Sequence, residues 1–198
     1  MLTSPNTTQG VIFFPSGHPL EKLFKHFSFK NIDEKYIYPF RATFDIETYF
    51  EKDNLPVVKS GSNKTKFTAR HKLLSIGICS NVEGFEDPVC LISSGDSQEL
   101  VASFVRYLES IADKAFDMLA KGPFKIAFDA LDSAAQSKET DFDVEAVRDV
   151  LIDYLRTLPV IGFNSSSYDL NVLKPYLARI ILDRKASTEN EQDNVSID

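Results

Sequence analysis

Asp45 and Glu47 stand two residues apart in the run RATFDIET, residues 41–48. Ala42, Phe44 and Ile46 alternate there with Thr43, Asp45 and Glu47, which predicts a strand carrying both carboxylates on one face. Carboxylates held side by side repel each other unless a cation lies between them. Hard oxygen donors of this kind suit Mg²⁺ or Mn²⁺ and not zinc. Taken alone, the pair also fits an edge strand with a solvated acidic face. Further along, Asn164-Ser-Ser-Ser-Tyr168-Asp169 follows the apolar run PVIGFN and opens a helical pattern. Ligands gather at strand ends of α/β sheets, so Asp169 would add a third carboxylate if that strand lies near the first. Alone, the segment also reads as a helix-capping turn.

Together and in this order, FDIET and NSSSYD resemble the first two motifs, D-x-E and N-x-x-(x)-F/Y-D, of the 3′–5′ exonuclease domain of family B DNA polymerases. The surrounding text, YPFRATFDIETYF, HKLLSIGICSN and LPVIGFNSSSYDLNVLKPYL, resembles the organellar, viral and transposon-type, protein-primed branch. The resemblance spans about residues 36–183. It implies an α/β, RNase H-like fold, a mixed sheet with a three-strand antiparallel start flanked by helices. It also implies two-metal phosphodiester hydrolysis, with Asp45, Glu47 and Asp169 as catalytic metal ligands for two Mg²⁺ or Mn²⁺ ions. Thr48, Asn164 and Tyr168 match positions that touch the single-stranded 3′ end of DNA. A terminal protein primer is the partner implied for the parent polymerase.

The resemblance is incomplete. The third motif, Y-x-x-x-D, has no counterpart: Tyr176 is the only Tyr after Asp169, and Ile180 stands four residues beyond it. The polymerase palm motifs are missing as well. The expectation is part of an exonuclease domain, cut before its last catalytic piece and inactive by itself. Two other readings stay open. One is a nucleic-acid-binding or scaffold module that kept the fold without the chemistry. The other is a related nuclease acting on RNA. His71 reads as a structural histidine ahead of the second strand. Lys59, Lys64, Lys66 and Arg70 form a basic loop cluster that is either a phosphate contact or solvated surface.

The elements that must position these residues follow from the pattern. VIFF (11–14) reads as a short strand, and Leu20, Leu23, Phe24 and Phe27 as a short helix. Residues 51–70 form a loop. KLLSIGICSN (72–81) and PVCLIS (88–93) give two further strands joined at Glu83-Gly84. Leu100, Phe104, Leu108, Ile111, Ala115 and Met118 outline a helix over 97–120, which Gly122-Pro123 breaks. Phe124–Leu131 is a second helix and 134–141 a loop. A third helix follows Val144, Val147, Leu151, Leu155 and Leu158, with acidic residues in its first turn. PVIGFN (159–164) reads as a buried strand. Leu170–Asp183 is helical around Pro175, and 185–198 a polar tail. The domain expectation is an extension over 1–35, one partial domain over 36–184, and the tail.

Composition sets the limits. The chain has 198 residues, 43% of them hydrophobic, with 16 Phe, enough to bury a core. Lys and Arg number 22 against 29 Asp and Glu, for a net charge of −7. That balance argues against a general nucleic-acid coat or a basic membrane-surface module, though not against acidic residues that hold cations. Two cysteines, Cys79 and Cys90, are too few for a disulfide framework and read as buried, reduced residues of an intracellular protein. No leader and no membrane span is expected.

Overall fold

A computed structural model describes residues 38–52, 69–137, 143–163 and 168–195. The VIFF strand, the helix over 20–27, Asn164, Lys59, Lys64 and Lys66 lie outside these residues. Strand β1, Ala42–Lys52, is longer than the alternation RATFDIET suggested, continuing through Tyr49 and Phe50 to Lys52. Its partner β2, Ala69–Ser80, runs antiparallel to it and begins before Lys72. The shorter β3, Val89–Ile92, pairs antiparallel with β2. Gly84 makes the turn between them with φ +88°, a backbone conformation that costs L side chains strain.

A fourth strand, β4, Val160–Gly162, lies parallel to β1 on its other side. The sheet order is β3-β2-β1-β4. This is the mixed α/β sheet with a three-strand antiparallel start expected from the sequence. β4 departs from expectation in its surroundings: Val160 and Ile161 are exposed and Phe163 is 98% exposed. The apolar run predicted a buried strand. β4 instead pairs only with β1 and stands at the sheet edge, so burial does not follow from hydropathy alone.

The pairing of β1 with β2 shifts register between Glu47 and Thr48: Glu47 faces Ser75, whereas Thr48 faces Leu73. Leu74 is the extra residue, a β-bulge. It explains a break in the β2 pattern, where the buried positions are Leu73, then Ile76, Ile78 and Ser80. Without the bulge, Leu73 and Ile76 would point to opposite faces. With it, Leu73, Ile76 and Ile78 lie on the same side as Ile46 and Phe44. The Leu74 carbonyl accepts the Ser93 amide at 2.8 Å, so the bulge leaves that acceptor paired.

Helix α1, Ser97–Lys121, starts at Asp96, whose carboxylate accepts the Gln98 amide at 2.8 Å. The chain divides into two compact units, one of Ala42–Ser110 with Val160–Asp198, the other of Met1–Arg41 with Ile111–Pro159. A single domain over 36–184 was expected. In the unit containing the sheet, Leu100, Val101 and Phe104 of α1 are buried, and the Phe104 ring lies 5.4 Å from that of Phe44. Helix α4, Leu170–Val195, runs well past the predicted end at Asp183. Residues 176–198 hold no Gly or Pro to stop it, and Arg184 binds both Glu109 carboxylate oxygens, at 2.5 and 3.1 Å.

The other unit is helical. Lys125–Ser137 (α2) extends beyond the predicted Leu131, into residues read as a loop. Val144–Arg156 (α3) begins at Asp143, whose side chain accepts the Glu145 and Ala146 amides, both at 3.1 Å. Leu119, Phe124, Ala127, Leu131, Val144, Leu151 and Leu155 form its core. Tyr38 donates to the Leu155 carbonyl at 2.9 Å, satisfying one of the acceptors a helix end leaves open. Arg156 lies over the Phe116 ring, 4.9 Å from its centre. The cysteines were expected to be buried. Cys79 is half-buried and Cys90 exposed, because both project from the sheet face away from Ile76 and Ile78.

Candidate functional site

Two faces of β1 carry the candidate residues. Asp45 and Glu47 share the exposed face, as the alternation predicted. Asp45 stands opposite Gly77 and Glu47 opposite Ser75, so the neighbouring strand leaves them room. One Asp45 oxygen accepts the Ile46 amide at 3.1 Å. Asp169 is at the other motif, in the wide turn that leads into α4, and is 2% exposed. Among the described residues no three His, Cys, Asp or Glu side chains form a group able to hold a metal ion. Asp45 and Glu47 have the donor chemistry for one hard divalent cation. The donors brought together do not complete a site for two.

The opposite face of β1 carries the closest polar contacts. Past the bulge, the apolar series Ala42, Phe44, Ile46 gives way to Thr48 and Phe50. The Thr48 hydroxyl lies 2.6 Å from the Tyr168 hydroxyl, across 120 residues of chain. His71, opposite Phe50 in the ladder, brings Nδ1 to 3.1 Å from Thr48 Oγ1 and 2.8 Å from the Tyr168 hydroxyl. Either neutral tautomer of His71 satisfies the chain of bonds. With Nδ1 accepting, Tyr168 donates to the ring and Thr48 shares its hydrogen between the ring and Tyr168. With Nδ1 donating, its hydrogen is shared between Tyr168 and Thr48, Tyr168 donates to Thr48, and the Thr48 hydrogen is left for an outside acceptor.

The rings pack as well: His71 lies edge-on to Tyr168 at 5.4 Å, and its centre is 4.4 Å from that of Phe50. Beside them Lys72 donates to Glu51 at 2.9 Å. The hydrogen bond and charge of Glu51 hold the Lys72 ammonium above the ordinary lysine range.

Of the residues expected to touch a strand end, Thr48 and Tyr168 meet directly, and Asn164 lies outside the described residues. His71, read as a structural residue before the strand, is inside β2 and binds both of them. Phe50 belongs to neither motif. The adjacent Leu73-Leu74 pair, which breaks strict alternation, was the available sign that His71 would turn toward Thr48. No protein-family model, curated protein or solved structure matches this chain. Among the described residues no helix is long and apolar enough to cross a membrane.

Proposed function

We propose that this chain carries the part of a 3′–5′ exonuclease domain, of the family B DNA polymerase type, that holds a single-stranded DNA end and bears its first metal-binding carboxylates. The observation that carries the reading is the 2.6 Å contact between Thr48 and Tyr168, which joins the two motif segments in one site. The order β3-β2-β1-β4, with β4 parallel to β1, supports an RNase H-like sheet. In this reading Thr48 and Tyr168 position the strand end. Asp45 and Glu47 hold Mg²⁺ or Mn²⁺, an ion that would neutralise phosphate charge and acidify bound water. Asp169, buried at the second motif, does not join them in a metal-holding group. No hydrolytic step is assigned to these residues, because the donors for two ions and the Y-x-x-x-D motif are not assembled.

Calorimetric titration with Mn²⁺ tests the reading. The chain should bind Mn²⁺, and Asp45→Ala combined with Glu47→Ala should abolish the binding. Equal heats for the two proteins would overturn it. The second reading, a strand-binding module without chemistry, is favoured by Asp169 not grouping with Asp45 and Glu47 among the described residues. It predicts strand binding with no response to Mn²⁺.

A further inference from the structure

Phe50 lies two residues beyond Thr48 on β1, so the two side chains share a face. It is 69% exposed, yet its position is fixed from behind. The His71 ring sits 4.4 Å away, tilted by 56°. His71 is itself held through Nδ1 by Thr48 and Tyr168. An exposed aromatic ring whose support is already ordered loses little conformational freedom when a second ring lies on it. Lys52, also exposed, comes next on the same face, about 7 Å further along the strand. A protein–protein anchor would be expected to continue into more apolar surface. Here the neighbours on this face are a threonine, a histidine, a lysine and the Tyr168 ring, and Leu73 is buried. One ring bordered by hydroxyls and a cation suits a nucleotide, which has a flat base and an attached phosphate.

We propose that Phe50, backed by His71, is a stacking shelf for an unpaired base of a single DNA strand, and that Lys52 meets the phosphate of that nucleotide. The proposal rests on the strand-holding function argued above and names a subsite of it. His71 acts as a positioning residue, through Phe50.

The test is fluorescence anisotropy of the full chain with a labelled oligo-dT strand, in EDTA so that no cation held by the carboxylate pair contributes. Phe50→Leu should weaken binding about 5- to 150-fold, the effect of one lost stacking contact, with the salt dependence unchanged. Phe50→Trp should retain affinity. Lys52→Gln should lower the slope of log K against log salt by about 0.7, one phosphate contact on a single strand. His71→Ala should weaken binding and reduce the stacking-dependent quenching of a 2-aminopurine base in the strand. His71→Gln, which keeps a planar hydrogen-bonding group, should restore part of both. Unchanged affinity in Phe50→Leu, or an unchanged slope in Lys52→Gln, overturns the shelf. So does a wild-type chain that binds no strand. The Mn²⁺ titration decides the carboxylate reading separately in every case.

Discussion

The hydroxyl of Tyr168 serves Thr48 and His71 at once, so its removal is felt by both. Tyr168→Phe should cost about 0.5–1.5 kcal/mol of stability, read as a lower urea midpoint at unchanged slope. Thr48→Val should cost a similar amount. The double variant should cost less than the sum, since the two remove one shared bond; full additivity would show that the contact is not energetically coupled. Tyr154 offers a pH effect in the helical unit. Burial pushes its hydroxyl above the ordinary tyrosine value, so the folded chain keeps that proton more tightly than the unfolded chain does. Its contribution to stability is therefore complete below about pH 10 and is lost as pH rises above that. Tyr154→Phe should flatten the alkaline fall in a series of denaturation curves from pH 8 to 11. Sequence alone made Asp45 and Glu47 visible because their spacing has a direct geometric meaning, and Thr48 and Tyr168 through the resemblance of their motifs. It did not show that His71 would join Thr48, because that depends on where β2 inserts its extra residue.

At the scale of elements, the period of apolar residues located the four strands and four helices among the described residues. Their ends were harder to place. α2 ran past Leu131 and α4 past Asp183 because polar stretches without Gly or Pro can continue a helix once it is started. The exposure of β4 could not be read from PVIGFN, since hydropathy does not say which strands will have two neighbours. The stop at Gly122 was legible, and the structure supplies its cause. A Cβ on Gly122 would lie 2.7 Å from the Met118 carbonyl oxygen, a backbone atom that cannot swing aside. Gly122→Ala should therefore destabilise the chain by about 1–3 kcal/mol, despite alanine's better helix propensity. A thermal midpoint equal to or above that of the wild type would show that the α1–α2 turn adjusts without cost. Leu74 gives the corresponding strand test. Its deletion would force Leu73 or His71 onto the wrong face, so the variant should lose cooperative unfolding and not simply shift its midpoint.

For the whole molecule, a net charge of −7 opposes any polyanion, and a few cations near Phe50 must act against that field. Asp45 and Glu47 lie on the face of β1 opposite Thr48 and Phe50, close enough for their charge to reach a strand bound there at low salt. Neutralising both through Asp45→Asn and Glu47→Gln takes the net charge from −7 to −5. Without metal, that variant should bind a single DNA strand more tightly than wild type, with the gain fading as salt rises past about 0.15 M. Mn²⁺ removes the difference. Wild type should gain affinity on adding the ion because the bound cation offsets the charge of the carboxylate pair. The neutral variant should gain no more than an equal ionic strength of NaCl provides. The convergence of the two affinity curves between EDTA and Mn²⁺ is the diagnostic result. Parallel curves would mean that these carboxylates act only as part of the general acidic surface, and that cation binding at β1 plays no role in holding the strand.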